Sequence, residues 1–274
     1  MIQPLLRAYR FLFGRAVFYR LNCFLYWCSL RGMGILNFES DRVSGEDRFL
    51  RKTLAGRKAP VVLDVGANEG RYSANVHAVS PQAVVYAFEP HPVTYGKLVK
   101  NLAHLGAATI RPVNAAAGMD SGVVELFDYA SQDGSSHASL HRGVIEQIQG
   151  AEAVSHRVQL LRLDDFAAEH GLGRIDLLKI DTEGNELAAL RGFGRHIAAG
   201  LVDVIHFEFN EMNVVSGVFF KDFWDFLRDY SLYRLLPDGL APIRQYTAVD
   251  CEIFAYQNIV AFRKGMSRPE AARP

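Results

Sequence analysis

The sequence predicts an α/β fold in which helices cover both faces of a mostly parallel sheet. Two observations predict it. Val61–Val65 is a short run of mainly apolar, β-branched residues, typical of a strand buried on both faces, and a glycine turn leads from it into a helical stretch near Arg71. The alternation of strand and helix then resumes at Val84–Phe88. Because such folds bind ligands beyond the carboxyl ends of their strands, we expect the functional site at that edge.

The composition is that of one large globular domain with an appendage. The chain has 274 residues, 49% of them hydrophobic, and 30 basic residues balance 30 acidic ones. A neutral balance argues against a general nucleic-acid-binding protein, which normally carries a basic excess. The three cysteines form no C-x-x-C motif. We therefore expect a reducing, cytoplasmic location without disulfides or a zinc site.

Residues 1–38, called the arm from here on, differ from the rest of the chain. They hold five arginines, no acidic residue and many aromatic residues. Their longest apolar stretch, residues 21–30, is too short and too polar to cross a bilayer, and no signal-peptide cleavage site follows it. A basic, aromatic-rich helix can lie on a membrane, here the inner face. On a helical wheel, however, the arginines up to Arg20 fall on several sides, which favours an arm that packs on the domain and covers the site.

The first glycine loop points to a cationic ligand. It carries Gly66, Ala67, Asn68 and Gly70, where the glycines let the backbone approach a ligand closely. A dinucleotide-binding loop places a pyrophosphate at this point, and the acids Asp64 and Glu69 would repel it. The same acids suit the sulfonium and amino groups of S-adenosylmethionine. A nicotinamide-dependent oxidoreductase remains the alternative.

Two further stretches fit a nucleoside. The second strand ends at Glu89, about 20 residues past the glycine loop, where an acid is placed to bind ribose hydroxyls in both classes of enzyme. After a helix over residues 93–105 and a third strand over residues 109–114, the small-residue turn around Ala116 offers a surface on which an adenine ring could lie flat.

An insertion then interrupts the alternation. Residues 123–129 and 157–163 are predicted strands that form a β-hairpin at the sheet's edge, separated by the polar loop 131–137 and a short helical segment at 144–149. Such insertions often supply substrate contacts. His137 is a candidate, although an exposed loop histidine is more often inert.

Two later strands end in charged side chains. In the strand over residues 175–184, Lys179 and Asp181 share one face, and a structural ion pair explains Lys179 about as well as a catalytic amine does. Asp181 and Glu183 lie at the ligand end, while Glu186 complements the dipole of the next helix.

In the strand over residues 202–209, His206 and Glu208 share a face. His206 is either a general base or a core histidine bonded to the backbone, whereas Glu208 at the strand's end favours function. A helix over residues 221–230 and an antiparallel pair at 233–236 and 253–262 complete a seven-stranded sheet.

Taken together, these motifs resemble the FkbM-type methyltransferase family. The likeness extends from about Asn37 to Lys264, with the arm outside it. The residues that carry it are 64–70 (DVGANEG), 87–90 (AFEP), 163–166 (LDDF), 179–186 (KIDTEGNE) and 258–261 (NIVA). The resemblance implies a class I methyltransferase Rossmann-like fold with a C-terminal antiparallel hairpin, S-adenosyl-L-methionine as cofactor, and O-methylation of sugars or secondary metabolites. It places the cofactor site on Asp64, Gly66, Asn68 and Glu89.

The predicted organisation is an arm at 1–38, a methyltransferase domain at 39–265 and a tail at 266–274. Since Asp181, His206 and Glu208 end adjacent strands, we expect them to surround a small-molecule or glycan acceptor, with His206 or a carboxylate as base. Glu183 and His137 are expected to contact the acceptor. The acids could instead hold a divalent cation, but we predict no metal, and a non-catalytic cofactor-binding domain is the other alternative.

Overall fold

The computed structural model describes residues 2–131 and 134–266, so Met1, Gln132, Asp133 and residues 267–274 of the predicted tail lie outside the description. A 3-10 turn at Ala16–Phe18 and a π-helical turn at Val144–Ile148 accompany the regular elements. The strands are β1 Val61–Val65, β2 Val84–Phe88, β3 Ile110–Val113, β4 Ala116–Ala117, β5 Gly122–Tyr129, β6 Ala153–Leu161, β7 Leu177–Ile180, β8 Val204–Phe209, β9 Tyr230–Leu236, β10 Gly239–Ile243 and β11 Gln257–Arg263. The helices are α1 Ile2–Phe13, α2 Tyr19–Gly32, α3 Asp41–Ser44, α4 Glu46–Leu54, α5 Arg71–Val79, α6 Pro92–Leu105, α7 Leu163–Glu169, α8 Glu186–Gly192, α9 Gly194–Ala198, α10 Met212–Ser216, α11 Phe220–Phe226 and α12 Ala248–Cys251.

The predicted α/β fold is confirmed. The main sheet has the order β10-β9-β11-β8-β7-β1-β2-β3. Its central part from β8 to β3 is parallel, and β11, β9 and β10 join antiparallel. The register aligns Asp64 of β1 with Lys179 of β7, and Lys179 with His206 of β8. Titratable residues of three adjacent strands therefore lie side by side on one face of the sheet.

The sheet has one strand more than the sequence predicts. Residues 239–243, expected as loop, form the edge strand β10, which pairs only with β9 in the described chain. Pro242 lies within it, and an edge position tolerates the missing backbone donor. The strand was missed because proline and glycine hide the alternation typical of strands.

The central strands are buried on both faces, as their apolar runs predict. Leu63 and Val65 pack into one core cluster with Phe88 and Phe207, whereas Val62 belongs to a second cluster on the opposite face. Because apolar side chains on both faces are hidden from water, the strand ends are held rigidly in place.

Several predicted boundaries change. The strand predicted over residues 175–184 is limited to Leu177–Ile180, and the strand predicted over 253–262 is Gln257–Arg263. The inserted hairpin forms a separate three-stranded sheet of order β4-β6-β5, in which Ala116 pairs with Leu160, and Leu163 begins helix α7 instead of ending a strand. Helix α11 ends at Phe226, and Tyr230 opens β9 with its hydroxyl donating to the carbonyl of Val202 at 2.7 Å. The helical spacing of apolar residues continued past the real helix end because the following turn buries its residues in the same core.

The arm does not pack on the domain along its helices. Helix α1 buries no side chain and α2 buries only Leu30, so the expected packed arm is wrong for this part. The segment after α2 is anchored instead: Ile35 is buried and bridges to Gln257. None of the helices in the described part of the chain has the length and hydropathy needed to cross a bilayer.

Candidate active site

A cavity of about 410 Å³ opens where β1, β2, β7 and β8 end. This volume lies within the usual range for small-molecule sites. The cavity brings together eight of the predicted site residues and leaves four outside its lining. Those inside are Gly66, Asn68, Glu89, Ala116, His137, Asp181, Glu183 and Glu208; those outside are Asp64, Ala67, Gly70 and His206.

The glycine loop is shaped by contact with the neighbouring strand ends. Gly66 has a φ of 84°, and the backbone N–H groups of Gly66 and Ala67 both donate to the carbonyl of Phe88, at 3.0 and 2.8 Å. A Cβ at Gly66 would collide with the carbonyl oxygen of Asp181. Only glycine lets the loop cross β7 this closely, which places its backbone along the cavity wall.

Glu89 is held by two backbone donors. Its carboxylate accepts from the N–H of Asn68 at 2.9 Å and from the N–H of His91 at 2.8 Å, and the residue is 6% exposed. Burial raises the pKa of Glu89 to about 7, although both backbone bonds oppose the rise. A buried carboxylate at the end of β2 that lines a cavity suits the paired hydroxyls of a ribose.

Asp64 supports the loop from behind. It is 1% exposed and accepts a hydrogen bond from the Ser73 hydroxyl at 2.6 Å, and burial raises its pKa to about 6. Gly70 starts α5 at a φ of 91°, against Leu98, and Ala67 is buried in the core. These three residues fix the loop without lining the cavity.

The acids that line the cavity are not the ones expected from the loop. Asp64 is buried beneath it, and Glu69 is about half exposed and paired with Lys97 at 3.0 Å. If the cavity attracts a positively charged ligand, as the sequence predicts, acids other than Asp64 and Glu69 must provide the attraction. The lining carboxylates are Glu89, Asp181, Glu183, Glu208 and Glu211.

Small residues form an apolar wall. Ala115, Ala116 and Ala117 line the cavity together with Pro90 and Leu126. The amide of Asn185 donates to the carbonyl of Ala117 at 2.9 Å and fixes this segment. Such a wall leaves room for a flat ring, as the alanine turn predicts.

A buried lysine organises the acids at the ends of β7 and β8. Lys179 is 3% exposed, and its Nζ lies 3.4 Å from Asp181 and 3.6 Å from Glu208. Burial alone would lower the pKa of Lys179, but the attraction of these carboxylates outweighs it and raises that pKa well above its ordinary value. Lys179 is therefore a charged partner of the acids, which favours the ion-pair interpretation.

Glu208 and Glu183 both lie in surroundings that raise the pKa of a carboxyl group. Burial, then the negative charge of Asp181, raises the pKa of each carboxyl well above its ordinary range. Glu183 also has a φ of 52°, a strained backbone conformation for a residue with a side chain. Glu186, predicted to serve the helix start, accepts from the N–H groups of Thr182 and Gly184 at 2.9 and 3.1 Å and so fixes this turn.

One member of the cluster was missed by sequence reasoning. Glu46, at the start of α4, brings its carboxylate to 3.9 Å from Lys179 and 3.8 Å from His206. Burial raises its pKa, whereas Lys179 lowers it. No motif contains Glu46, and only the packing of α4 on the sheet brings it to the ends of β7 and β8.

His206 does not reach the cavity. It is fully buried, with Nδ1 bonded to the Tyr72 hydroxyl at 3.2 Å and Nε2 to the amide oxygen of Asn258 at 2.8 Å. Burial lowers its pKa well below the ordinary value, so the ring is neutral. The amide nitrogen of Asn258 in turn donates to the hydroxyl of Tyr256 at 2.9 Å. Tyr256, unlike His206, lines the cavity. The prediction that His206 contacts the acceptor directly is therefore corrected. The histidine instead holds Asn258, which holds Tyr256.

His137 lines the cavity from the insertion. Its Nδ1 lies 3.3 Å from the hydroxyl of Tyr129, so the ring is held at the rim by its own hairpin. Within the described residues, no group of three or more histidine, cysteine or acidic side chains is arranged to hold a metal ion.

Comparison with known proteins identifies the family. Residues 64–234, more than half of the chain, match the family described as Methyltransferase FkbM domain. The chain belongs to the FkbM methyltransferase family. This match covers both the glycine loop and the strand ends that line the cavity.

Relatives carry methyltransferase names. The methyltransferase sdnD of Sordaria araneosa is 33% identical over 48% of this chain and 60% of its own length. The 31-O-demethyl-FK506 methyltransferase FkbM of Streptomyces tacrolimicus is 30% identical over 53% of this chain and 63% of its own. The 2-O-methyltransferase NoeI of Sinorhizobium fredii is 24% identical over 69% and 79%. The chain spans less than two thirds of the first two relatives.

The FkbM domain of this chain is a methyltransferase domain whose cofactor is S-adenosyl-L-methionine. The cavity fits this cofactor, because it combines a buried carboxylate at the end of β2 (Glu89), a close glycine loop and an alanine wall. The acids that suit the sulfonium and amino groups of the cofactor are those that line the cavity. Asp64 and Glu69 of the loop region, which the sequence favoured, do not line it. The family match sets the nicotinamide alternative aside.

Proposed function

We propose that the protein transfers a methyl group from S-adenosyl-L-methionine to a hydroxyl of a hydroxyl-rich acceptor, such as a sugar in a glycan, a glycolipid or a secondary metabolite. One observation carries this proposal. The cavity that holds Glu89 and the alanine wall also holds Asp181, Glu183 and Glu208 at the ends of β7 and β8. Carboxylates accept hydrogen bonds from hydroxyls, so this end suits an acceptor with several of them.

The two ends of the cavity have separate tasks. Glu89, Asn68, Gly66 and Ala116 would hold the cofactor, which supplies a methyl group on a positively charged sulfur when bound. Asp181 and Glu183 would orient the acceptor through its hydroxyls. Alignment of the acceptor oxygen with that methyl group accounts for much of the rate in a displacement of this kind.

Glu208 is our choice for the general base. A hydroxyl becomes a good nucleophile only as it loses its proton, and a base works best when its pKa lies close to the working pH. Burial moves the pKa of Glu208 upward in that direction. In the proposed step Glu208 would accept the hydroxyl proton on a carboxylate oxygen, the acceptor oxygen would bond to the methyl carbon, and the methyl–sulfur bond would break to leave a neutral thioether. His206 supports this end by holding Tyr256 through Asn258.

The chemistry of the cavity favours a hydroxyl acceptor. Five acidic side chains line it, and each can accept a hydrogen bond from a hydroxyl of the acceptor. The names of two relatives, a 31-O-demethyl-FK506 methyltransferase and a 2-O-methyltransferase, support transfer to oxygen.

The test is the chemistry of the product. Purified protein is incubated with methyl-tritiated cofactor and a panel of neutral sugar glycosides and hydroxylated polyketides, with glucuronic acid included. We expect label in an alkali-stable methyl ether. Alkali-labile label would mean a methyl ester, label on an added amine would mean N-methylation, and either result would contradict the proposal.

We also propose a cytoplasmic location and no nucleic-acid partner. Cys23, Cys28 and Cys251 are all free thiols, as a reducing compartment allows. Recovery of the native protein with these cysteines oxidised would argue against this location.

A further inference from the structure

Helices α1 and α2 present a large apolar surface to solvent. In α1, Ile2, Leu5 and Leu12 are 63%, 69% and 57% exposed, and in α2, Phe24 and Trp27 are 63% and 53% exposed. Nothing in the described part of the chain covers these side chains. The two helices contact each other, since the Tyr9 hydroxyl donates to the amide oxygen of Asn22 at 2.6 Å. A concentration of exposed apolar side chains on them marks an interaction surface.

Helix α1 is amphipathic when it is considered by itself. Most of its apolar residues follow helical spacing along one side, whereas Gln3, Arg7 and Arg10 lie on the other side, together with one phenylalanine, Phe11. The helix stops at Phe13, and Arg15 is extended, with φ −118° and ψ 150°, before the chain turns into α2. The helical wheel that spread the arginines over several sides treated the arm as one continuous helix. Because the helix breaks after Phe13, the spread of the arginines no longer argues against membrane contact.

The charge of the surface indicates what covers it. Residues 1–38 contain Arg7, Arg10, Arg15, Arg20 and Arg31 and no acidic residue. Arg31 is paired with Glu39, which lies just beyond the arm. A second copy of the arm would bring arginines against arginines. An anionic lipid surface satisfies both the apolar face and the positive charge.

We propose that α1 and α2 dock on the surface of an anionic bilayer as a peripheral anchor. The anchor joins the domain at the rim of the active-site cavity: Leu36 and Phe38 line it, and the N–H of Leu36 donates to the carbonyl of Tyr256 at 2.7 Å. Only three residues separate Gly32, the end of α2, from Leu36. Docking therefore holds the cavity near the lipid surface, where a lipid-linked acceptor would be presented. The docking itself does not depend on the identity of the acceptor.

The experiment is flotation of the full-length protein with two kinds of vesicle, pure phosphatidylcholine and an equimolar mixture with phosphatidylglycerol. We expect flotation with the anionic vesicles only, weakened by salt. Leu5→Ser with Leu12→Ser should abolish it. Arg7→Gln with Arg10→Gln should weaken binding about fivefold for each arginine lost.

Matched controls lie on the domain surface. Val249→Ser removes an exposed apolar side chain, and Lys58→Gln with Lys100→Gln removes two exposed charges, so both should float like the wild type. All variants should keep the melting temperature and the stabilisation by S-adenosylhomocysteine, because the substituted side chains are exposed.

Three results would overturn the proposal. The first is no flotation with anionic vesicles, and the second is equal flotation with both kinds. The third is a dimer in vesicle-free light scattering that Leu5→Ser with Leu12→Ser converts to a monomer, which would assign the apolar face to a second copy of the chain.

Discussion

At the scale of single residues, the site depends on what donates to each buried carboxylate. Glu89 and Asp64 are both acids at strand ends, yet Glu89 lines the cavity and Asp64 is bonded to Ser73 beneath the loop. The position of Glu89 could be predicted from its spacing to the glycine loop. The exclusion of Asp64 could not, because it depends on how α5 packs against β1.

The protonation of Glu89 predicts a pH dependence of cofactor binding. Its pKa of about 7 means that the free protein carries this proton below neutral pH, whereas ribose hydroxyls need the ionised form as acceptor. Binding must release the proton, so the Kd for S-adenosylhomocysteine should rise by up to about tenfold for each pH unit below 7. Calorimetry across this range measures it.

Two variants control this measurement. Glu89→Gln cannot ionise, so its weaker binding should lose the pH dependence, and Glu169→Gln, an exposed change in α7, should retain it. A Kd for the wild type that stays constant from pH 8 to about pH 5 would exclude this role of Glu89.

Glu208→Gln tests the proposed base. Glutamine keeps the shape but cannot accept a proton, so kcat should fall about 10²-fold or more. The Kd for S-adenosylhomocysteine should stay close to that of the wild type, because Glu208 lies at the acceptor end. Glu169→Gln serves again as the matched control. Unchanged kcat in Glu208→Gln would move the base to another residue.

At the scale of elements, the parallel strands bring their charges together and helix α4 adds one more. The grouping of Lys179, Asp181 and Glu208 could be predicted, since the carboxyl ends of parallel strands meet at one edge of the sheet. Glu46 could not be predicted, because its role arises from the packing of α4 over the ends of β7 and β8. His206 was misassigned for a related reason: its partners Tyr72 and Asn258 come from other elements.

Glu46→Gln tests this contribution of α4. The negative charge of Glu46 helps to raise the pKa of Glu208, so its removal should lower that pKa. Since the base acts when ionised, activity rises with pH through its pKa, and the acid limb of the kcat profile should shift to lower pH.

Asp47→Asn is the matched control on the same helix, because Asp47 bonds to Arg51 at the surface. Its pH profile should match that of the wild type. A uniform loss of activity in Glu46→Gln without a shift of the profile would mean that Glu46 is only structural.

At the scale of the whole molecule, the central sheet was predicted well and its additions were not. Apolar runs of buried strands are visible in the sequence at β1, β2 and β8. Sequence periodicity does not show which strands pair, so it could not predict the edge strand β10 or the separate sheet of the insertion. It also does not show the break between α1 and α2, on which the exposed arm depends.

The most direct test of the central claim, that the cavity at the carboxyl ends of β1 and β2 holds S-adenosyl-L-methionine, is calorimetry on the purified full-length protein. We expect S-adenosylhomocysteine to bind at one site per chain, with binding strongly weakened in Glu89→Ala, and NAD to give no binding heat. Binding of NAD without any binding of S-adenosylhomocysteine would contradict the account.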